Sequence, residues 1–89
     1  MTTNRIRFAE FADVLERLGF TMRRAEANGP KLVFHHAASD TLVVLPPLRP
    51  RDRVPVGDLT SAQVILPARG VTTEAHLDEL LDGAVAARS

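Results

Sequence analysis

The chain has 89 residues and a formal net charge of +0, which predicts a single domain over residues 1–89 with a core of about residues 7–84. A hydrophobic fraction of 45% excludes a disordered chain, and the absence of cysteine excludes a disulfide framework and thiolate chemistry. Because no apolar run reaches membrane-spanning length and residues 1–7 are polar, we expect a cytoplasmic protein with no membrane partner.

Apolar residues recur at helical spacing over residues 7–18. The stripe consists of Phe8, Phe11, Leu15 and Leu18. Gly19 follows the last of them, and glycine commonly ends a helix because it accepts the left-handed conformation without a Cβ clash. The pattern predicts a first helix that buries this stripe.

Three segments with strand character follow, at residues 20–26, 31–36 and 41–45. Asn28-Gly29 is a strong signal for a hairpin between the first two, because both positions of a type I′ turn need a positive φ. Residues 37–40 predict a second short turn. The third segment is nearly all apolar, which predicts a strand that is central in the sheet and covered on one face. The Pro46-Pro47 pair ends it.

The second half of the chain begins with a segment rich in proline and arginine, residues 46–57, which predicts an extended, stiff and basic loop. Asp58 is then a candidate N-cap for a helix that Pro67 must end. Residues 64–66 fit either that helix or a strand, and both interpretations stay open.

A last helix is predicted over residues 73–84, with Thr72 or Thr73 as its cap and with residues 85–89 frayed. The predicted fold class is therefore α+β. Its order is a helix, a three-stranded antiparallel meander, and one or two helices packed on one face of the sheet.

Basic residues are concentrated in the first part of the chain: residues 1–53 hold nine basic and six acidic side chains, and residues 54–89 hold two and five. Strand alternation places Arg23, Lys31 and His35 on one face. The candidate nucleic-acid-binding residues are Arg23, Arg24, Lys31, His35, Arg49, Arg51 and Arg53. The simpler alternative is an ordinary solvated surface. All four phenylalanines are assigned to the core, so contacts to the RNA backbone fit better than base stacking.

Several motifs, taken in order, resemble the HicA-type toxin family, also called YcfA-like. Residues 14–20, VLERLGF, are similar to the "LxxLGF" that closes the family's first helix. Residues 29–34, GPKLVF, stand where the family has the "GSHxxF" hairpin, and residues 43–46, VVLP, fit its strand ending in "VP". The family's next helix corresponds to a start at Gly57-Asp58-Leu59. Its final "GI" and Leu-rich turn correspond to Gly70-Val71 followed by Leu77, Leu80 and Leu81.

The resemblance implies a fold similar to a double-stranded-RNA-binding domain. It also implies an activity, cleavage of messenger RNA, and a partner, a HicB-type antitoxin. The family's catalytic histidine falls on Lys31 and the serine before it on Pro30. Lysine is a poor base at neutral pH, whereas histidine titrates near neutrality. His35 is a weak candidate for a replacement base, because it lies four residues farther along the strand.

We therefore expect a HicA-like RNA-binding module without the family's ribonuclease activity, and a protein that is not an enzyme. One alternative is a protein-interaction module that binds a HicB-like antitoxin or forms a homodimer. A further alternative is an active endoribonuclease toxin. We expect no metal and no cofactor, because His35, His36 and His76 lack ligand spacing. A catalytic triad of Ser39, His36 and Asp40 is not predicted either, because no nucleophile motif accompanies these residues.

Overall fold

A computed structural model of the chain describes residues 6–26 and 29–88, with the side chains of these residues up to Val85. The elements are α1 (Phe8–Arg17), β1 (Thr21–Ala25), β2 (Lys31–His36), β3 (Thr41–Leu45), α2 (Val56–Ala68) and α3 (Glu74–Arg88). The predicted α+β order is confirmed, with both later helices present. Within the described residues, none of these helices is long and apolar enough to cross a membrane.

The sheet is an antiparallel meander in the order β1-β2-β3. The prediction that the third strand lies in the centre was wrong, because two consecutive hairpins leave the middle strand, β2, between the others. The sequence of β3 is nearly all apolar for another reason, namely that both of its faces carry apolar side chains. Its inward residues Thr41, Val43 and Leu45 are buried, while Leu42 and Val44 are apolar and exposed on the other face.

Both predicted hairpins are present. The first pairs Ala25 with Lys31, so that five residues separate the paired positions; Gly29 has a φ of 99°, and Asn28 lies outside the described residues. The second pairs His36 with Thr41 and is closed by a turn over residues 37–40, as predicted.

The helices cover one face of the sheet, and the core lies between the two layers. The whole predicted stripe of α1 packs there, and Phe8 meets Phe34 of β2 edge-on, with ring centroids 6.2 Å apart. The core extends beyond residues 7–84 at both ends, because Ile6 and Val85 are also buried. All four phenylalanines are buried, as the sequence predicted.

The proline- and arginine-rich loop, residues 46–55, is folded rather than extended, which corrects the prediction. The backbone amide of Asp52 donates to the Arg49 carbonyl, and the Arg49 amide donates to Oδ2 of Asp52 at 2.8 Å. The amides of Phe8 and Ala9, in the first turn of α1, donate to the carbonyls of Asp52 (2.7 Å) and Pro50 (3.1 Å). The loop therefore supplies hydrogen-bond acceptors to backbone amides of the first turn, which have no acceptor within the helix.

The second helix resolves the ambiguity over residues 64–66, which are helical. Its N-cap lies three residues earlier than predicted, so Asp58 does not hold that position. Pro55 holds that position with an extended backbone, and Asp58 lies in the first turn, where a carboxylate interacts favourably with the helix dipole. Pro67 lies in the last turn, as its missing amide requires.

The third helix has the predicted cap, because Oγ1 of Thr73 accepts a hydrogen bond from the His76 amide at 3.1 Å. It continues to Arg88, so residues 85–88, expected to fray, are helical. Burial of Val85 against the core explains the extra turn. Ser89 lies outside the described residues.

Among the glycines, Gly19 is the one at which an added side chain should lower stability most. Its φ is +100°, and an added Cβ would lie 3.3 Å from the His36 ring. We expect Gly19→Ala to lower the free energy of unfolding by about 1–2 kcal/mol. Gly83→Ala is the matched control: it lies in α3 with open space around it, and should raise stability by about 0.5–1 kcal/mol. Urea denaturation of both variants measures the difference, and equal effects would contradict the assignment.

Candidate nucleic-acid interface

The face of the sheet turned away from the helices carries three of the predicted residues. Lys31, Val33 and His35 are successive same-face positions of β2, and Arg23 of β1 lies opposite Val33. Arg23 is thus a diagonal neighbour of both Lys31 and His35, at roughly 7–8 Å between α-carbons. The structure brings Arg23, Lys31 and His35 together on this surface, named here the open face.

Charge is divided between the two layers of the fold. The three strands contain three arginine or lysine residues, Arg23, Arg24 and Lys31, and no carboxylate. The helices contain eight of the eleven carboxylates: Glu10, Asp13, Glu16, Asp58, Glu74, Asp78, Glu79 and Asp82. A chain of zero net charge therefore has one layer that attracts polyanions and one that repels them.

Arg24 does not belong to the open face. It lies opposite Leu32, whose side chain points into the core, and so it projects from the helix side at the β1 edge of the sheet. Its Nε is 3.9 Å from Oε1 of Glu26, and both side chains are about two-thirds exposed. An ion pair of this kind contributes little to stability.

The loop that carries the remaining three arginines leaves the sheet at the end where Lys31 begins β2, because β3 ends at Leu45, opposite Leu32. All three loop arginines, Arg49, Arg51 and Arg53, are exposed.

Arg7 is a further cation that the sequence did not assign to the site. It forms an antiparallel bridge with Arg53, and both residues are exposed. Like charges at opposed positions repel, and an anion bound between them would relieve this repulsion. Only the fold places Arg7 beside the loop; in the sequence it simply precedes a helix.

His35 is held by an acidic neighbour. Its Nε2 is 3.1 Å from Oδ1 of Asp40, in the turn that follows β2. Arg69, at the end of α2, donates to the carbonyls of Ser39 and Asp40 of this turn, at 3.4 Å each. Lys31 lies about 13 Å away along β2, so the two side chains are at opposite ends of this strand.

His36 faces the helices and belongs to a separate polar chain. Its Nδ1 is 2.7 Å from Oγ of Ser39, which is 2.7 Å from Oγ1 of buried Thr41. The ring packs on Phe20, with centroids 5.2 Å apart. Because Asp40 contacts His35, no triad of Ser39, His36 and Asp40 forms. The chain instead satisfies the hydroxyl of Thr41.

A concave region lies in the helical layer. It is a groove of about 600 Å³ between α1 and α3, and its apolar lining consists of Ala9, Val14, Leu80, Gly83 and Ala84. Its charged lining is Glu10, Asp13 and Glu79 with Arg17, whose Nε is 2.9 Å from Oδ2 of Asp13. The excess of carboxylates makes this groove a poor site for a phosphate chain. Among the described residues, no group of histidines and carboxylates has the arrangement of a metal site.

Comparisons of the chain with protein-family models, with curated proteins and with solved structures found no match.

Proposed function

We propose that the protein is a HicA-like RNA-binding module that lacks the family's ribonuclease activity. The observation that carries the proposal is the open face, where Arg23, Lys31 and His35 lie on strands that contain no carboxylate. Phosphate contacts require a local excess of Lys or Arg rather than a basic chain overall.

The kind of contact follows from the side chains available. All four phenylalanines are in the core and the chain has no Trp or Tyr, so bases have no aromatic surface to stack on. Cations spread over a flat sheet and an adjoining loop suit the regularly spaced phosphates of an RNA duplex, which proteins recognise by shape and backbone. We propose double-stranded RNA as the ligand, with Arg7 added to the contacting residues.

We infer that the protein does not cleave RNA because the family's catalytic position holds a lysine, Lys31, in place of histidine. Lys31 is half-buried on the open face at the start of β2. An amine there can bind phosphate. An imidazole with a pKa near neutrality is what acid–base cleavage of RNA requires.

Salt-dependent binding tests the proposal. With a fluorescent RNA duplex of about 20 base pairs, longer than the roughly 16 that such domains span, we expect binding that weakens linearly on a logarithmic scale as salt rises from about 50 to 200 mM. The triple variant Lys31→Gln, Arg49→Gln, Arg51→Gln should lower the slope by about one for each of these side chains that binds a phosphate. Fluorescence anisotropy measures both quantities.

The matched control is Arg17→Gln, an exposed arginine of α1 on the acidic side, which should leave affinity and slope unchanged. Failure to bind at the lowest salt concentration, or equal losses of affinity in the control and the triple variant, would contradict the proposal.

A second candidate function, a protein-interaction module, is favoured by one observation. Leu42 and Val44 are 55% and 50% exposed on the open face, and large apolar side chains grouped on a surface mark sites of interaction with other proteins. A HicB-like antitoxin is the partner that the family resemblance suggests.

A further inference from the structure

The two edges of the sheet differ in how they are protected. β1 carries Arg23 and Arg24, and charged side chains are a common means of preventing an edge strand from pairing with another chain. β3 has no charged residue, and prolines appear only after its last position. Among the described residues, the strand pairings and loop hydrogen bonds give residues 41–45 no backbone partner except β2. The β3 edge is therefore free to pair.

The helix beside this edge is equally uncharged on its outer side. α2 contacts β3, and its buried residues are Leu59, Ala62 and Leu66. Its exposed apolar residues are Val56, Val64 and Ile65. Asp58 is its one charged residue, in the first turn. Thr60 and Ser61 are its exposed polar residues. A surface helix of a monomer normally shows a mostly polar side to solvent, so the apolar residues on the outer side of α2 are unusual.

We propose that a second copy of this chain covers both features by pairing β3 with β3 in antiparallel orientation. With Val43 opposite its counterpart, Leu42 of each copy lies opposite Val44 of the other, and the two sheets join into one of six strands. The two α2 helices then meet across the same two-fold axis and cover Val64 and Ile65.

A second copy fits this surface better than a charged partner does. Residues 41–48 and 59–68 contain no charged side chain, so a basic or acidic partner would lose hydration there without gaining an ion pair. An antiparallel strand paired with itself has the two-fold symmetry of an isologous contact, in which one surface complements itself. In such a contact the strand edge, about 17 Å long, contributes main-chain hydrogen bonds, and the helix, about 20 Å long, contributes apolar contacts.

Light scattering over a concentration series tests this inference and involves no RNA, so it can fail independently of the proposed function. The wild type should approach twice 9.7 kDa as concentration rises. Val44→Lys on the strand and Val64→Lys on the helix should each weaken association at least tenfold. Both residues are half or more exposed, so the fold should survive, and circular dichroism checks this.

Thr21→Lys is the matched control, because Thr21 is exposed on the same face at the opposite edge; it should leave the dimer intact. In a mixed-label sample, intermolecular nuclear Overhauser effects are expected between Leu42 and Val44 side chains. A wild type that stays monomeric at millimolar concentration would overturn the inference. So would dimers unaffected by both lysine variants, or loss of the dimer in the Thr21 control.

Discussion

Replacement of Phe34 by alanine is expected to lower the free energy of unfolding by about 3–5 kcal/mol. Phe34 is fully buried in the central strand and contacts Phe8 of α1 edge-on, so it joins the two layers of the fold. Domains are stable by only about 5–15 kcal/mol, and one of 89 residues has a small core. Phe34→Ala should therefore be largely unfolded near body temperature, as measured by thermal and urea denaturation.

Val33 provides the control, because it is the neighbour of Phe34 on the same strand but points to the open face and is half-buried. Val33→Ala should cost about 1 kcal/mol. Equal losses of stability for the two variants would mean that the core does not lie on the face assigned to it.

The second large effect concerns RNA cleavage. Purified protein should leave messenger RNA intact, and its induced expression should not arrest growth. A positioned acid or base contributes about 100- to 10,000-fold to rate, and our proposal assigns the catalytic position of HicA-type toxins to Lys31, an amine. RNA integrity after incubation and growth during induced expression are the measurements.

His35→Ala is the informative variant, because its imidazole lies beside Asp40, an arrangement that can orient a base. Wild type and variant should be equally inactive. Cleavage by the wild type that disappears in His35→Ala would assign the base to His35, and cleavage that disappears in Lys31→Ala would overturn the interpretation of the lysine.

Much of the fold could be predicted because local patterns and tertiary packing agree. The stripe of Phe8 to Leu18 and the alternation along β2 each place apolar residues on one face, and the core uses those faces. The wrong predictions concern segments whose structure depends on contacts with residues far away in the sequence. The loop from Arg49 to Asp52 is anchored by amides of α1 as well as by its own hydrogen bonds, and the position of β3 at an edge depends on pairing order, which its apolar sequence does not reveal.

The candidate site could be predicted in part. A period of two was enough to place Arg23, Lys31 and His35 together, because side-chain direction in a strand is fixed by position. The same rule separates Arg24 from Arg23, although adjacency in the sequence groups the two arginines. The pairing of Arg7 with Arg53 spans 46 positions of the chain and could be seen only in the folded molecule.

The attachment of the arginine-rich loop to the start of α1 has a consequence for binding. Since the carbonyls of Pro50 and Asp52 are already engaged by helix amides, Arg49, Arg51 and Arg53 extend from a backbone that folding has preorganised. Ligand association then does not bear the entropy cost of ordering that backbone, which would otherwise reduce affinity. The attachment also couples ligand binding to folding, so a polyanion bound at the loop should raise the melting temperature of the whole domain.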